Sequence, residues 1–243
     1  MPKRLPCAAD QNNILATLSS DDRALIEPCL EFSEFHHGMV LQESGKAEEQ
    51  VFFFSDGVGS MIAIDQAGRR IEAGLFGREG MSGIAVVMGG TSTHLETVVQ
   101  IAGRGCAISA DDLRTLFAQS STLRDHLLLY IHAQFVQTSQ TALSNGRGRL
   151  EERLARWLLM CHDRMDGDRL ELTHDFLAVM LGVRRAGVTV GTHLLEGKGL
   201  IQAKRGEITV LDRDGLEDEA KGSYGVAEAE YERLLGRPKP EAA

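Results

Sequence analysis

The chain has 243 residues, enough for one large hydrophobic core or two small ones. Its 43% apolar and 25% charged residues exclude the disordered, collagen-like and disulfide-scaffold classes. A net charge of −9 argues against a nucleic-acid partner for the chain as a whole, but residues 145–213 carry 12 Lys+Arg against 10 Asp+Glu while the remainder carry 14 against 25. A surface that meets DNA therefore belongs to the later segment. No apolar run approaches the roughly 18 to 20 residues of a membrane span, and Met1 to Asp10 contains no stretch resembling a secretory core, so a cytoplasmic protein without membrane contact is expected. Cys7, Cys29, Cys106 and Cys161 form no C-x-x-C pair, which predicts reduced, mostly buried thiols.

In chain order, Asn12 to Leu30 predicts two short helices, with Ser19-Ser20-Asp21-Asp22 placed to cap the second and put acids in its first turn. From Phe32 to Ile108 the pattern becomes β-prone. Val51 to Phe54, Ser60 to Ile64 and Glu96 to Ile101 are short strand-like runs, and Asp65-Gln66-Ala67-Gly68 is a hairpin turn. The glycine-punctuated spacing predicts a small antiparallel β-roll, or jelly roll. Ser109 with Asp111 and Asp112 then starts a helix into Leu113 to Phe117. Thr122 to Ser144 has neither glycine nor proline and predicts a helix of roughly 35 Å. Its first half is apolar on more than one face, so one side is expected to cover the β-roll and the other to meet a second copy of the chain.

Asn145-Gly146-Arg147-Gly148 reads as a hinge, and Arg149 to Arg164 as an amphipathic helix through Leu150, Leu154, Trp157, Leu158 and Cys161. The expected class is α+β: an N-terminal antiparallel β-roll (jelly roll) over 1–121, a long central helix and hinge over 122–145 that pairs with a second copy, a compact helical module over 146–216 and a tail over 217–243. That tail predicts one helix around Ala227 to Leu235, followed by a frayed end.

The most informative stretch runs from Leu172 to Leu195. Thr173 caps a short helix that turns Leu177 and Leu181 inward, Gly182 stops it, and a second helix starts near Arg184 with Val188 and Leu195 facing the core. This is the layout of a helix-turn-helix. Propensity opposes the second helix, because Gly187 and Gly191 each cost about 1 kcal/mol and Val188, Thr189 and Val190 are β-branched. Arg184 and Arg185 stand where the helix dipole disfavours positive charge, which suggests a use outside the fold: arginine can fork onto guanine or pair with phosphate. Beyond them, Gly199 to Ala203 and Glu207 to Leu211 alternate around Lys204-Arg205-Gly206, a winged hairpin with a basic tip.

These motifs, with Gly57-Val-Gly-Ser60, Gly74-Leu-Phe-Gly-Arg-Glu-Gly80, Leu181-Gly-Val-Arg-Arg185 and Leu194-Leu-Glu-Gly-Lys-Gly-Leu-Ile201, resemble the Crp/Fnr family of bacterial transcription regulators over roughly Asn12 to Arg213. The resemblance implies a non-enzymatic homodimer on a palindromic double-stranded operator, with RNA polymerase and an unknown small-molecule effector as further partners. It makes Arg185 the prime base contact, Arg184 and Thr189 secondary ones, and Thr173 and His174 phosphate contacts. Lys204 and Arg205 are added from the wing. Where relatives often carry glutamate after the arginine, this chain has Ala186.

The cyclic-nucleotide cassette implied by the same resemblance is degenerate. Met81 stands where a ribose-binding glutamate is expected, and Thr93-His94 where an Arg-Ser would hold phosphate. A thioether cannot accept ribose hydroxyl bonds as a carboxylate does, and a neutral histidine cannot fork onto phosphate. Arg78, Glu79 and His94 are what is left as effector-binding candidates, Arg78 and Glu79 reading either as an altered anion site or as a salt-bridged turn. No cofactor or metal is implied. The competing class is a cupin-type jelly-roll metalloenzyme, for which His36-His37, His94 and Glu96 lack the His-x-His spacing.

Overall fold

The computed structural model describes residues 9–236. Helices α1 (Asn13–Ala16) and α2 (Ser20–Ile26) open the chain, the second capped by Ser19 Oγ, which accepts from Asp22 N–H at 3.1 Å. Two antiparallel sheets follow. One orders β1 (Glu31–Phe35), β7 (Gly103–Ser109) and β3 (Gln50–Phe54); the other orders β2 (Val40–Gln42), β6 (Leu95–Ile101), β4 (Val58–Ile64) and β5 (Arg70–Phe76). The β4–β5 turn closes as the sequence predicts: Gly68 takes φ +76° and donates to Asp65 O, a left-handed position that glycine occupies without a Cβ penalty. Phe35, Phe52, Phe54, Phe76 and Met61 fill one core of the roll. A short helix α3 (Ile84–Val87) separates β5 from β6.

Cys29 and Cys161 are free thiols, but Cys106, buried in β7, is disulfide-bonded, correcting the expectation of reduced cysteines there. Spacing cues detect local pairs, not pairings over long sequence separations. The expectation for Met1 to Asp10 falls largely, and that for the frayed end beyond Leu235 mainly, outside the described residues.

Helix α4 (Ala110–Gln119) is capped by Ser109, and α5 runs from Ser121 to Arg147. The latter passes through Asn145 and Gly146, so the predicted interruption shrinks to Gly148 and Arg149 before α6 (Leu150–His162). The C-terminal module continues with β8 (Arg169–Leu170), α7 (His174–Met180), α8 (Arg185–Gly197), the hairpin β9 (Ile201–Lys204) and β10 (Glu207–Val210), and α9 (Arg213–Glu219). Helix α9 crosses residue 216, and α10 (Val226–Leu235) packs along α5.

The two halves share a core. Val58, Ile62, Leu75 and Ile101 of the roll are continuous with Leu154, Trp157, Leu158, Leu177 and Met180 of the module. Across this junction the fully buried Glu72 carboxylate accepts from Trp157 Nε1–H at 2.9 Å and Ser60 Oγ–H at 2.5 Å. Burial pushes the Glu72 carboxyl up to about 7, because desolvation outweighs those bonds. A stretch that reads as two glycines of hinge thus accompanies an interface closed by apolar contacts.

Candidate nucleic-acid interface

Thr173 Oγ1 accepts from Phe176 N–H at 3.3 Å and begins α7, whose Leu177 and Met180 are buried. Gly182 ends it at φ +62°, and a Cβ there would stand 2.8 Å from Ile71 Cδ1 on the roll. This turn therefore needs glycine twice, for its backbone and for close approach. Helix α8 follows directly, burying Val188, Gly191, Thr192 and Leu195 against the module.

The two glycines that argue against a helix in isolation explain themselves here. A Cβ on Gly187 would lie 3.2 Å from Leu150 Cδ2, and one on Gly191 3.5 Å from Leu150 and Leu154. Small residues let α8 lie close on α6, and the packing of that face offsets a poor intrinsic propensity.

The opposite face of α8 is open. Arg184, Arg185 and Val190 are exposed, and Thr189 is partly so. Arg185 makes one long ion pair, Nε to Asp175 Oδ1 at 3.5 Å, with both side chains about 70% exposed. Such a pair contributes little and leaves the guanidinium available. His174 Nδ1 lies 3.1 Å from Thr189 Oγ1, tying the start of α7 to the middle of α8. Lys204 and Arg205 are exposed at the hairpin tip, where Gly206 takes φ +79°. The structure thus gathers Thr173, His174, Arg184, Arg185 and Thr189 on the neighbouring ends of α7 and α8, with the basic tip as a separate projection.

Residues 152–219 match the model of the Crp-like helix-turn-helix domain. The C-terminal module is a Crp-like helix-turn-helix domain. The Crp-like module is joined to a roll and long helix whose overall arrangement recurs in solved structures. A protein assigned to the Crp/Fnr transcriptional regulators from Eubacterium rectale superposes with a TM-score of 0.69 at 18% identity, over 88% of this chain and 100% of that one. FixK2 from Bradyrhizobium japonicum gives 0.65 at 16% identity, over 78% and 96%. A Crp-family transcriptional regulator from Thermus thermophilus gives 0.65 at 17%, over 78% and 97%. At these identities the likeness is one of fold alone. No curated protein matches the sequence.

The effector candidates do not come together. Arg78 and Glu79 line a cavity between the roll, α5 and α10, whereas His94 is exposed at the start of β6 and takes no part in that lining. The salt-bridged-turn reading of Arg78 and Glu79 is corrected: Glu79 pairs with Arg164 at 2.6 Å, and Arg78 with Asp166 at 2.9 Å. Both bonds cross from the roll to the C-terminal module. Met81 is fully buried in the apolar core, and Tyr130 from α5 donates to its carbonyl at 3.0 Å while accepting from its N–H at 3.1 Å. Sequence reasoning placed Trp157 on the apolar face of its helix but missed Glu72 and the bond between the two, which no local signal marks.

Proposed function

We propose that the chain is a homodimeric, sequence-specific DNA-binding transcription regulator of the cytoplasm. Two copies of α8 would enter successive major grooves of a palindromic site, about 34 Å apart. The observation that carries this reading is the exposed outer face of α8, with Arg184 and Arg185 at its first turn and packing confined to the opposite side.

Arg185 is assigned the bidentate contact to guanine O6 and N7, with Arg184 and Thr189 reading neighbouring positions. Thr173 and His174 hold phosphate at the groove edge, and Lys204 and Arg205 reach the backbone from the wing. Dimerisation is assigned to α5. Leu128, Phe135 and Leu143, at 39%, 70% and 55% exposure, recur at intervals of seven and eight residues on the side away from the roll. RNA polymerase and a small-molecule effector complete the expected partners.

A fluorescence-anisotropy titration against a palindrome library tests the reading. Binding to a preferred palindrome should weaken steeply as salt rises, since displaced counterions drive much of the affinity. Absent or salt-insensitive binding overturns it. Sedimentation should give a dimer that Phe135→Glu converts to monomer; a native monomer overturns the assignment of α5.

A further inference from the structure

The cavity beside α10 is of another kind from the groove-facing surface. It has a volume of about 630 Å³, within the range of small-molecule sites, roughly 300 to 1,000 Å³. Its walls come from the Arg78–Glu79 turn, the inward face of α5, the junction of α6 with α9, and α10. Among the described residues three arginines and four carboxylates line it, so they offer a polyanion no surplus of positive charge.

Most of these charges are already committed. Arg164, 6% exposed, donates through Nε to Glu79, whose carboxylate also ion-pairs with Nη2 at 2.6 Å, and through Nη1 to Met160 O. Arg213 engages Asp163 and Tyr224 at 2.8 and 2.7 Å, and Tyr224 occupies the second Asp163 oxygen. Arg78 differs. Among the described residues only its Nη2 is bonded, to Arg164 O and Asp166, and its buried Nε has no partner. The partner Asp166 is 88% exposed, and so solvated a pair leaves the Arg78 charge available at the cavity wall. On α10, which also lines the cavity, one oxygen of Glu228 accepts from Gly225 N–H while the other makes no hydrogen bond among the described residues.

Two amides from α5 supply a further edge. Gln134 donates through Nε2 to Leu75 O at 3.2 Å, and Gln137 accepts through Oε1 from Leu75 N–H at 2.9 Å. The backbone of Leu75 fixes both orientations, since its N–H requires an oxygen and its C=O a nitrogen. Gln134 Oε1 and Gln137 Nε2 are thereby left as an acceptor and a donor, on side chains that are each 5% exposed and line the same cavity.

We propose that this cavity binds a small zwitterion of the α-amino-acid type: its carboxylate on Arg78, its ammonium on Glu228, and a polar side chain on the Gln134–Gln137 edge. Because the walls belong to the roll, α5 and the helix-turn-helix module together, an occupant would bridge all three. Any consequence for DNA affinity rests on the regulator reading, whereas binding itself does not.

The test uses the full chain without DNA. Common L-α-amino acids are added singly in a thermal-unfolding screen, with acetate, butylamine and inorganic phosphate as probes of one charge sign, and hits are titrated by calorimetry. At least one polar amino acid should raise Tm by about 2 °C or more at saturation, with no comparable shift from the three control ions. Arg78→Gln and Glu228→Gln should each weaken that binding by about tenfold or more, the loss of one charge-assisted hydrogen bond. Glu228→Gln keeps an oxygen for the Gly225 N–H and carries the test if the Arg78 variant is poorly folded. Silence from every amino acid, an equal shift with acetate or phosphate, or undiminished binding to a folded variant overturns the proposal.

Discussion

The outer face of α8 and the junction between roll and module use charge in opposite ways. On α8, Arg184 and Arg185 stand in water with one long ion pair between them and the rest of the fold. At the junction, Glu72 and Arg164 are removed from water and matched donor to acceptor. A solvated charge contributes little to the fold and is free for an external partner, whereas a buried one must be paired and so fixes geometry. If the contrast is sound, changes at the junction should alter stability, and changes on α8 should alter recognition alone.

The largest effect is expected from Trp157→Ala. Removing a 3% exposed indole between the halves, and leaving Glu72 with Ser60 alone as donor, should destabilise the chain by about 3 to 5 kcal/mol in urea unfolding. A loss below about 1 kcal/mol would mean that the junction is not a true core.

Glu72 sharpens the same point through pH. Its carboxyl titrates near 7 when folded and near 4.5 when unfolded, so between those values the native state holds the extra proton. Stability from this group is therefore greatest below about pH 4.5 and falls as pH rises to about 7, by at most about 3 kcal/mol. Glu72→Gln keeps an acceptor for Trp157 and should flatten that part of the profile when unfolding is followed from pH 5 to 8. An unchanged slope would locate the titration elsewhere.

On the recognition side, Arg185→Ala should reduce discrimination of the preferred palindrome by about 1 to 3 kcal/mol, leaving Tm and dimerisation as they were. Equal loss on all sequences would instead make Arg185 a phosphate contact. The smallest effect belongs to Gly191→Ala. Its Cβ would meet Leu150 and Leu154 at ordinary contact distance, so the gain in helix propensity, up to about 1 kcal/mol, should appear as a small rise in Tm without altered DNA binding. Destabilisation would show that α6 and α8 are closer packed than 3.5 Å implies.

Local signals carried much of the architecture. Ser19, Ser109 and Thr173 each cap the helix their sequence context predicts, and Gly68 and Gly206 take the left-handed conformations their turns require. The order of helix, turn, helix and wing was legible because capping chemistry and hydrophobic periodicity act within a few residues. Helix α8 was legible only as a pattern, since its glycines make sense once α6 lies beside them. The junction was not legible: Glu72 and Trp157 stand 85 residues apart, and nothing local distinguishes a paired buried carboxylate from a surface one. The same holds for Arg78 and Glu79, adjacent in sequence yet each bonded to a different residue of the other half.

The sequence by itself determined the elements, their order and the basic character of the α7–α8 surface, because these depend on short-range capping, periodicity and charge. Only the tertiary structure decided that the two halves share one core, that α10 closes a cavity against α5, and which arginines remain without a full set of partners. Those outcomes depend on desolvation and on pairing between distant segments, which have no value until the chain has folded.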